Sequence, residues 1–318
     1  MNRKNIKSVL AKKHKEFVAS IKDERVRKLV AKNSIVTGGA IVSMLMKEKI
    51  NDFDYYFTNK ETVFAVTEYY VKEFNRLHMD KSNKLTSRPV AYIEEERVRI
   101  KIQSAGVIGE NTDESQYRYF EGVPLEEGED YIEQTIGSIL TEADKIDGKI
   151  LDEETKKKER YRPVFLSDNA ITLSNKIQVI IRFYGEPDEI HKNYDFVHCT
   201  NYWESATGKL ELRQGALESI LAKQLSYVGS KYPVCSIVRM RKFISRGWHI
   251  NAGQILKILM QVSELDLTDV AVLEDQLTGV DTAYFVMLIK ALKTKQEKNP
   301  EFKITQEYVA SIVDRIFG

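Results

Sequence analysis

Residues 34–58 read SIVTGGAIVSMLMKEKINDFDYYFT, and the rest of the chain is arranged around them. A short apolar entry, Ile35 and Val36, leads into Thr37-Gly38-Gly39, and a helix-compatible run follows over residues 40–47. The chain then delivers Asp52-Phe53-Asp54-Tyr55-Tyr56-Phe57, with the aromatic enrichment of a strand. Alternate side chains of a strand share a face, so Asp52 and Asp54 point one way while Phe53 and Tyr55 enter the packing layer. Two neighbouring carboxylates repel each other unless a cation lies between them, and a divalent cation favours hard oxygen ligands of this kind. A glycine pair opening a helix lets the backbone come close to a phosphate, with free N–H groups and the helix dipole aimed at the anion. A phosphate cradle beside metal-binding carboxylates points to phosphoryl chemistry.

Gly38-Gly39, a helical spacer and the acid–apolar–acid–apolar run from Asp52 resemble the signature of the polymerase β-type nucleotidyltransferase superfamily. That superfamily includes CCA-adding tRNA nucleotidyltransferases, poly(A) polymerases, antibiotic adenylyltransferases and toxin-type members. The resemblance implies an α+β fold: a nucleotidyltransferase head with a mixed sheet and helices over residues 1–205, elaborated by an insert at 81–162, then a helical domain over 206–318. It also implies a two-metal Mg²⁺ site and an NTP as substrate. The run from 170 to 203 resembles nucleotidyltransferase-like proteins of tailed phages, which would place the chain in a host cytoplasm.

The superfamily completes its site with a third carboxylate on a later strand beside the acid pair. Residues 177–183, IQVIIRF, read as the clearest buried strand of the chain. Residues 194–199, YDFVHC, read as another strand directly after it, opened by Asp195. Asp195 is therefore the expected third carboxylate, with Asp52 and Asp54 as ligands of both ions. The backbone of Gly38-Gly39 would hold the β- and γ-phosphates, and Thr37 or Ser43 would add a hydroxyl.

Composition narrows the class. A charged fraction of 30% and a hydrophobic fraction of 42% are those of a soluble globular chain, long enough at 318 residues for roughly two domains. No apolar run approaches the roughly 20 residues of a membrane helix, so no membrane partner is expected. Cys199 and Cys235 stand apart without CxxC spacing and read as free thiols in the cytoplasm. The first 31 residues are strongly basic with helical periodicity, which fits either a polyanion contact or the solvated face of a packed helix.

Residues 59–77 read as an amphipathic helix, and 90–93 and 98–104 as strands within the insert, which is read as either a lid or a partner-binding surface. A short helix ending at Ile139 and a charged segment at 152–160 follow. Strands are expected again at 163–166 and 170–173, and helices at 216–225, 254–265, 267–277, 283–293 and 305–317. Pro233 opens one more helix, on which Arg239, Lys242 and Arg246 share a face suited to a triphosphate or an RNA backbone. Residues 238–243 with Arg246-Gly247-Trp248 resemble the arginine-rich helix of tRNA nucleotidyltransferases, although Tyr232 stands where those enzymes carry an aspartate.

These features imply transfer of an NMP from an NTP to RNA, of the tRNA 3′-end type. Ala40-Ile41 stands where CCA-adding enzymes have Arg-Asp, which leaves two alternatives open. One is nucleotidylation of a protein or small molecule; the other is a non-catalytic module of a larger assembly.

Overall fold

A computed structural model describes residues 1–78, 88–101, 106–108, 161–167, 169–267 and 269–277, with 305 and 307. The expected helices at 283–293 and 305–317, the short helix before Ile139 and the segment 152–160 lie outside the described residues. Among the described residues, the chain divides into two compact units at the Ala222–Lys223 junction. The helix Gln214–Ala222 packs on the 3₁₀ turn Val197–Thr200, so it falls with the first unit and the division comes later than residue 205.

The first unit begins with α1 (Arg3–Ser20) and α2 (Glu24–Asn33). Each helix starts at a side-chain cap: Asn2 Oδ1 accepts from the Asn5 amide and Asp23 Oδ1 from the Val26 amide, both at 2.9 Å. Strand β1 (Ser34–Thr37) leads into α3 (Gly39–Met46) and β2 (Phe53–Phe57), and α4 (Lys60–His78) follows. The hairpin β3 (Val90–Glu94) and β4 (Arg97–Lys101) forms its own two-stranded sheet, turned by Glu95 at φ 54°. Then come β5 (Gly106–Ile108), β6 (Pro163–Ser167), β7 (Ala170–Leu173), β8 (Ile177–Tyr184), β9 (Tyr202–Glu204) and β10 (Leu210–Glu211).

Eight of these strands make one mixed sheet in the order β10-β9-β1-β2-β8-β7-β6-β5. The β2–β8 pair is parallel and every other pair in it is antiparallel. A parallel neighbour requires a crossover, and the chain between Phe57 and Ile177 makes it. The expected α+β fold with a mixed sheet and helices is what the structure shows.

Alternation in the sheet decides what each side buries. Val36, Tyr55, Phe57, Ile177, Val179 and Ile181 join the large core with Ile6, Leu10 and Phe17 of α1 and Val66, Tyr70 and Phe74 of α4. Phe17 is fully buried, with the rings of Tyr55, Tyr161 and Tyr70 at 5.0, 5.7 and 6.5 Å. Removing such a ring costs about 3–5 kcal/mol. The opposite face has a smaller cluster of Ile35, Tyr56 and Ile190, packed against Ile180, Phe183, Tyr194 and Tyr202. The acid pair belongs to this second face.

Two expectations need correction. Residues 194–199 are not a strand: Phe196 has extended backbone and Val197–Thr200 turns at once into a 3₁₀ helix, whose Thr200 hydroxyl donates to the Val197 carbonyl at 2.7 Å. The strand that follows β8 in the chain and reaches the central strands is β9, which pairs with β1. The helix expected over 216–225 stops at Ala222, because Lys223 adopts φ 48° and Gln224–Leu225 form β11.

In the second unit β11 runs parallel to β12 (His249–Ile250), and the helices are Pro233–Ser245, Ala252–Val262 and Val270–Leu277. Pro233 occupies the first turn, where its missing N–H costs nothing. Cys235 is fully buried and its thiol donates to the Gln276 carbonyl at 2.7 Å. Among the described residues, no helix is long and apolar enough to cross a membrane.

Candidate functional site

The site is built where β1 ends, α3 begins and β2 starts. Thr37 is the sheet neighbour of Asp54 on one side, and Gln178 of β8 is its neighbour on the other. Residues directly paired across strands share a face, so the side chains of Thr37, Asp54 and Gln178 form a row on the second face of the sheet. Asp52 precedes the strand and is exposed, whereas Asp54 is partly buried. Burial of the Asp54 carboxyl, reinforced by the negative charge of Asp52, raises its pKa well above the ordinary carboxylate value. The two acids therefore feel each other across the start of β2.

Gly38 makes the approach to this carboxylate possible. Its φ of 83° and ψ of −148° lie in a region that side chains avoid, and a Cβ built on it would stand 2.7 Å from Asp54 Oδ2. The Gly38 amide donates to the Cys199 carbonyl at 3.2 Å, so this N–H is engaged within the protein rather than aimed at a phosphate. Gly39 opens α3, is exposed, and has nothing within 4 Å of its would-be Cβ. The unencumbered backbone at the start of α3 thus begins at Gly39, with the positive end of the helix beside the acid pair.

Thr37 differs from the expectation of a phosphate-binding hydroxyl. It is fully buried, and its Oγ1 donates to the Asn201 carbonyl at 2.8 Å and lies 3.2 Å from that of Cys199. His191 Nε2 lies 2.9 Å from the same oxygen. With the single hydroxyl proton directed at a carbonyl, the hydroxyl accepts from His191, which is therefore the neutral tautomer protonated on Nε2. Burial lowers the His191 pKa to about 4, helped by the positive charge of Arg213 and opposed by Asp188. Thr37 and His191 fasten the end of β1 to the segment 199–201, and so position Gly38.

Sequence reasoning missed His191, Cys199 and Asn201 because they act through backbone carbonyls and one imidazole, with no spacing to announce them. Gln178 was missed as well: alternation gives it a face of the strand 177–183, and only the register puts it beside Asp54. Tyr194 also belongs here: its hydroxyl would lie 3.6 Å from a Cβ on Gly38, and burial, then Tyr56 and Asp54, raise its pKa well above 10.

The remaining expected residues are placed as follows. Asp195 is buried at the entry to the 3₁₀ turn, and its charge acts on His198, whose pKa burial nevertheless lowers to about 4. Among the described residues no three His, Cys, Asp or Glu side chains gather closely enough to hold a metal. The position beside Asp54 on the adjoining strand is held by Gln178, a neutral amide. Ser43 is half-buried in the second turn of α3. Arg239, Lys242 and Arg246 belong to the second unit; Arg239 is half-buried, Lys242 is exposed, and Arg246 is the exposed C-cap of its helix.

Divalent metal fits what is present in one respect. Asp52 and Asp54 supply hard oxygens and a local negative charge that a cation would relieve. A Mg²⁺ ion commonly takes one or two carboxylates, with substrate phosphates and water completing its shell. Tyr55, Tyr56 and Trp248 are all buried, so none of these rings lies open for a base to stack on, and Trp248 packs against Phe243 at 5.8 Å.

Comparison with known proteins gives the following. A family profile described as Gabija anti-defense 2 family protein matches residues 8–223, which hold β1, α3, the acid pair, β8 and the Asn201 segment. The Gabija anti-defense 2 protein of Bacillus phage SPbetaL7 is 22% identical over 143 residues, covering 44% of this chain and 34% of that protein. The chain thus spans about a third of the length of the curated relative it matches. Among solved structures, the Thermotoga maritima CCA-adding enzyme complexed with tRNA is similar at a TM-score of 0.38 and 12% identity, over 92% of this chain and 57% of that one. A tRNA-processing enzyme with CTP is similar at a TM-score of 0.36 and 13% identity, over 92% and 57%. The profile covers well over half of the sequence, and the chain belongs to the Gabija anti-defense 2 family.

Proposed function

We propose that this chain is a metal-dependent nucleotidyltransferase of the phage counter-defence kind, moving an NMP from an NTP onto an acceptor in the host cell. The observation that carries the reading is the contact of the glycine loop with the acid pair, in which Gly38 has no room for a side chain because Asp54 Oδ2 is there. A triphosphate held at the Gly39 end of α3 would lie against Asp52 and Asp54. Mg²⁺ held by those two carboxylates would neutralise the phosphates and lower the pKa of the attacking hydroxyl. The chain's own part is positional. Thr37, His191 and Cys199 hold the loop, and Gln178 offers an amide where the acceptor or a phosphate oxygen would arrive.

An acceptor outside tRNA maturation is favoured by two facts. Ala40-Ile41 replaces the Arg-Asp of CCA-adding enzymes. The name of the family is that of a counter to a defence system, so a protein or nucleic acid of that system is the acceptor we favour over a tRNA 3′ end. RNA contact through Arg239, Lys242 and Arg246, and contact of a protein partner with the insert at 81–162, belong to the same proposal.

The neutral amide of Gln178 beside Asp54 favours a second reading: a nucleotidyltransferase fold kept as a metal- and nucleotide-independent binding module. One experiment separates the two. The chain is incubated with each α-labelled NTP and Mg²⁺, with total RNA or host protein as acceptor, beside the Asp52→Ala/Asp54→Ala variant. Label that disappears in the variant supports transfer and identifies the acceptor class. Absence of label, together with no Mg²⁺-dependent NTP binding in calorimetry, supports the binding module.

A further inference from the structure

The first fifteen residues contain no acid, and their lysines are left out of the ion-pair pattern that covers the neighbouring helices. On α2 and α4 several cations are matched: Lys22, just before α2, with Glu73, Arg25 with Glu61, Lys28 with Glu24 and Lys72 with Glu68. On α1, Lys4, Lys7, Lys12 and Lys15 are exposed, and among the described residues none of them has an ion pair or hydrogen bond. At 3.6 residues per turn they lie on one side of the helix, opposite buried Ile6, Leu10 and Phe17, with only Ser8 and Ala11 between them. Glu16, the one acid of α1, lies off this arc and accepts from the Tyr161 hydroxyl at 3.2 Å. The first turn of the helix has no acid either.

We infer that this face of α1 is a contact for the phosphate backbone of a nucleic acid. Charge of one sign that is neither paired nor screened by neighbours attracts a polyanion, and the small residues between the lysines let a backbone lie close. Lys4 to Lys15 span about 16 Å of helix axis at 1.5 Å per residue. One strand of a duplex carries a phosphate about every 3.4 Å of its axis, so all four ammonium groups find partners along one strand. A membrane surface fits less well, because the arc has no large apolar side chain to insert and the apolar side of the helix is in the core. The inference stands whether or not the acid pair transfers nucleotides.

The test is fluorescence anisotropy of the full chain with labelled RNA and duplex DNA of about 20 units, at several salt concentrations. Four phosphate contacts predict a slope of log affinity against log salt of about −3.6 on duplex DNA and about −2.8 on single-stranded RNA. The variant Lys4→Gln/Lys7→Gln/Lys12→Gln/Lys15→Gln should bind at least about tenfold more weakly at low salt, with a flatter slope and an unchanged circular dichroism spectrum. The paired lysines give the control, Lys28→Gln/Lys72→Gln, which should bind as the parent does. Equal affinity of the quadruple variant and the parent would overturn the inference. So would an equal loss in the control, or binding to phosphatidylserine vesicles without binding to either nucleic acid.

Discussion

Gly38 and Asp54 are in such close register that the α-carbon of one leaves no space for a methyl group beside the carboxylate of the other. Gly38→Ala therefore faces two penalties: a backbone conformation that costs about 1–3 kcal/mol for a side-chain-bearing residue, and a clash with Asp54. The expected outcome is a lower melting temperature and loss of Mg²⁺-dependent NTP binding. Gly39→Ala, with open space around its Cβ, should melt close to the parent. A parent-like Gly38→Ala would mean that the loop moves away from the acids.

Asp54 is buried beside a like charge, so in the absence of cation it opposes folding at neutral pH. Asp54→Asn should raise the melting temperature measured in EDTA. Added Mg²⁺ should raise that of the parent and leave the variant unmoved, as expected for a ligand that binds only the native state. On the proposed function, the variant should also transfer nucleotide slower than the parent by on the order of a thousandfold or more.

Gln178 offers a gain-of-function test. Gln178→Glu places a third carboxylate beside Asp54 on the adjoining strand. Titration calorimetry should then show tighter Mg²⁺ binding than in the parent, and a larger thermal shift with the metal. No gain would show that this position lies outside the reach of the cation.

Three buried histidines set the acid limit of the fold. His14, His191 and His198 each have a pKa lowered to about 4, with burial the main cause. Their unfolded value is near 6.5, so below that pH the unfolded chain binds more protons than the native one. The stability they confer is complete above about pH 6.5, declines as the pH falls, and is lost by about pH 4. Urea unfolding between pH 7 and 4 should show this fall. His14→Gln should lessen it if the amide is accommodated between Tyr55 and Trp203, whose rings lie 6.0 and 5.2 Å away.

The Thr37–His191 bond is tested by Thr37→Val, which keeps the shape and removes the hydroxyl. The Asn201 carbonyl then loses a donor and the His191 Nε2–H an acceptor, a cost of about 1–3 kcal/mol. If the bond also positions the glycine loop, KM for NTP should rise more than stability alone explains.

Much of the first unit was legible from side-chain periodicity. β2, α4, β7 and β8 follow from aromatic or β-branched alternation and from apolar residues three and four apart, so each lies where the pattern puts it. Residues 194–199 misled because Phe196, Val197 and Cys199 have strand composition, while the turn they make is fixed by contacts with α3 and the helix Gln214–Ala222, invisible to local pattern. The expectation for Asp195 rested on that same strand reading: which strand lies beside β2 is decided by a crossover, and a sequence read in order favours the next acid along the chain. Gln178 announces itself only when the register of β8 is known. In the second unit the proline at 233 gave the helix start, and the two short parallel strands had too few residues to signal anything.

The parallel pairing of β2 with β8 also sets an order of events during synthesis. Asp54 emerges from the ribosome early, but Gln178 emerges only after the whole crossover, and Cys199 and Asn201 later still. Until then the glycine loop has neither its anchoring carbonyls nor a neighbour on the far side of β2. A nascent chain cut short before residue 201 has every residue of the motif and no assembled site. Loop closure over so long a stretch is slow compared with hairpin formation. The glycine loop therefore takes its place against Asp54 only once synthesis has passed the last of these anchors, however early the acidic residues appear.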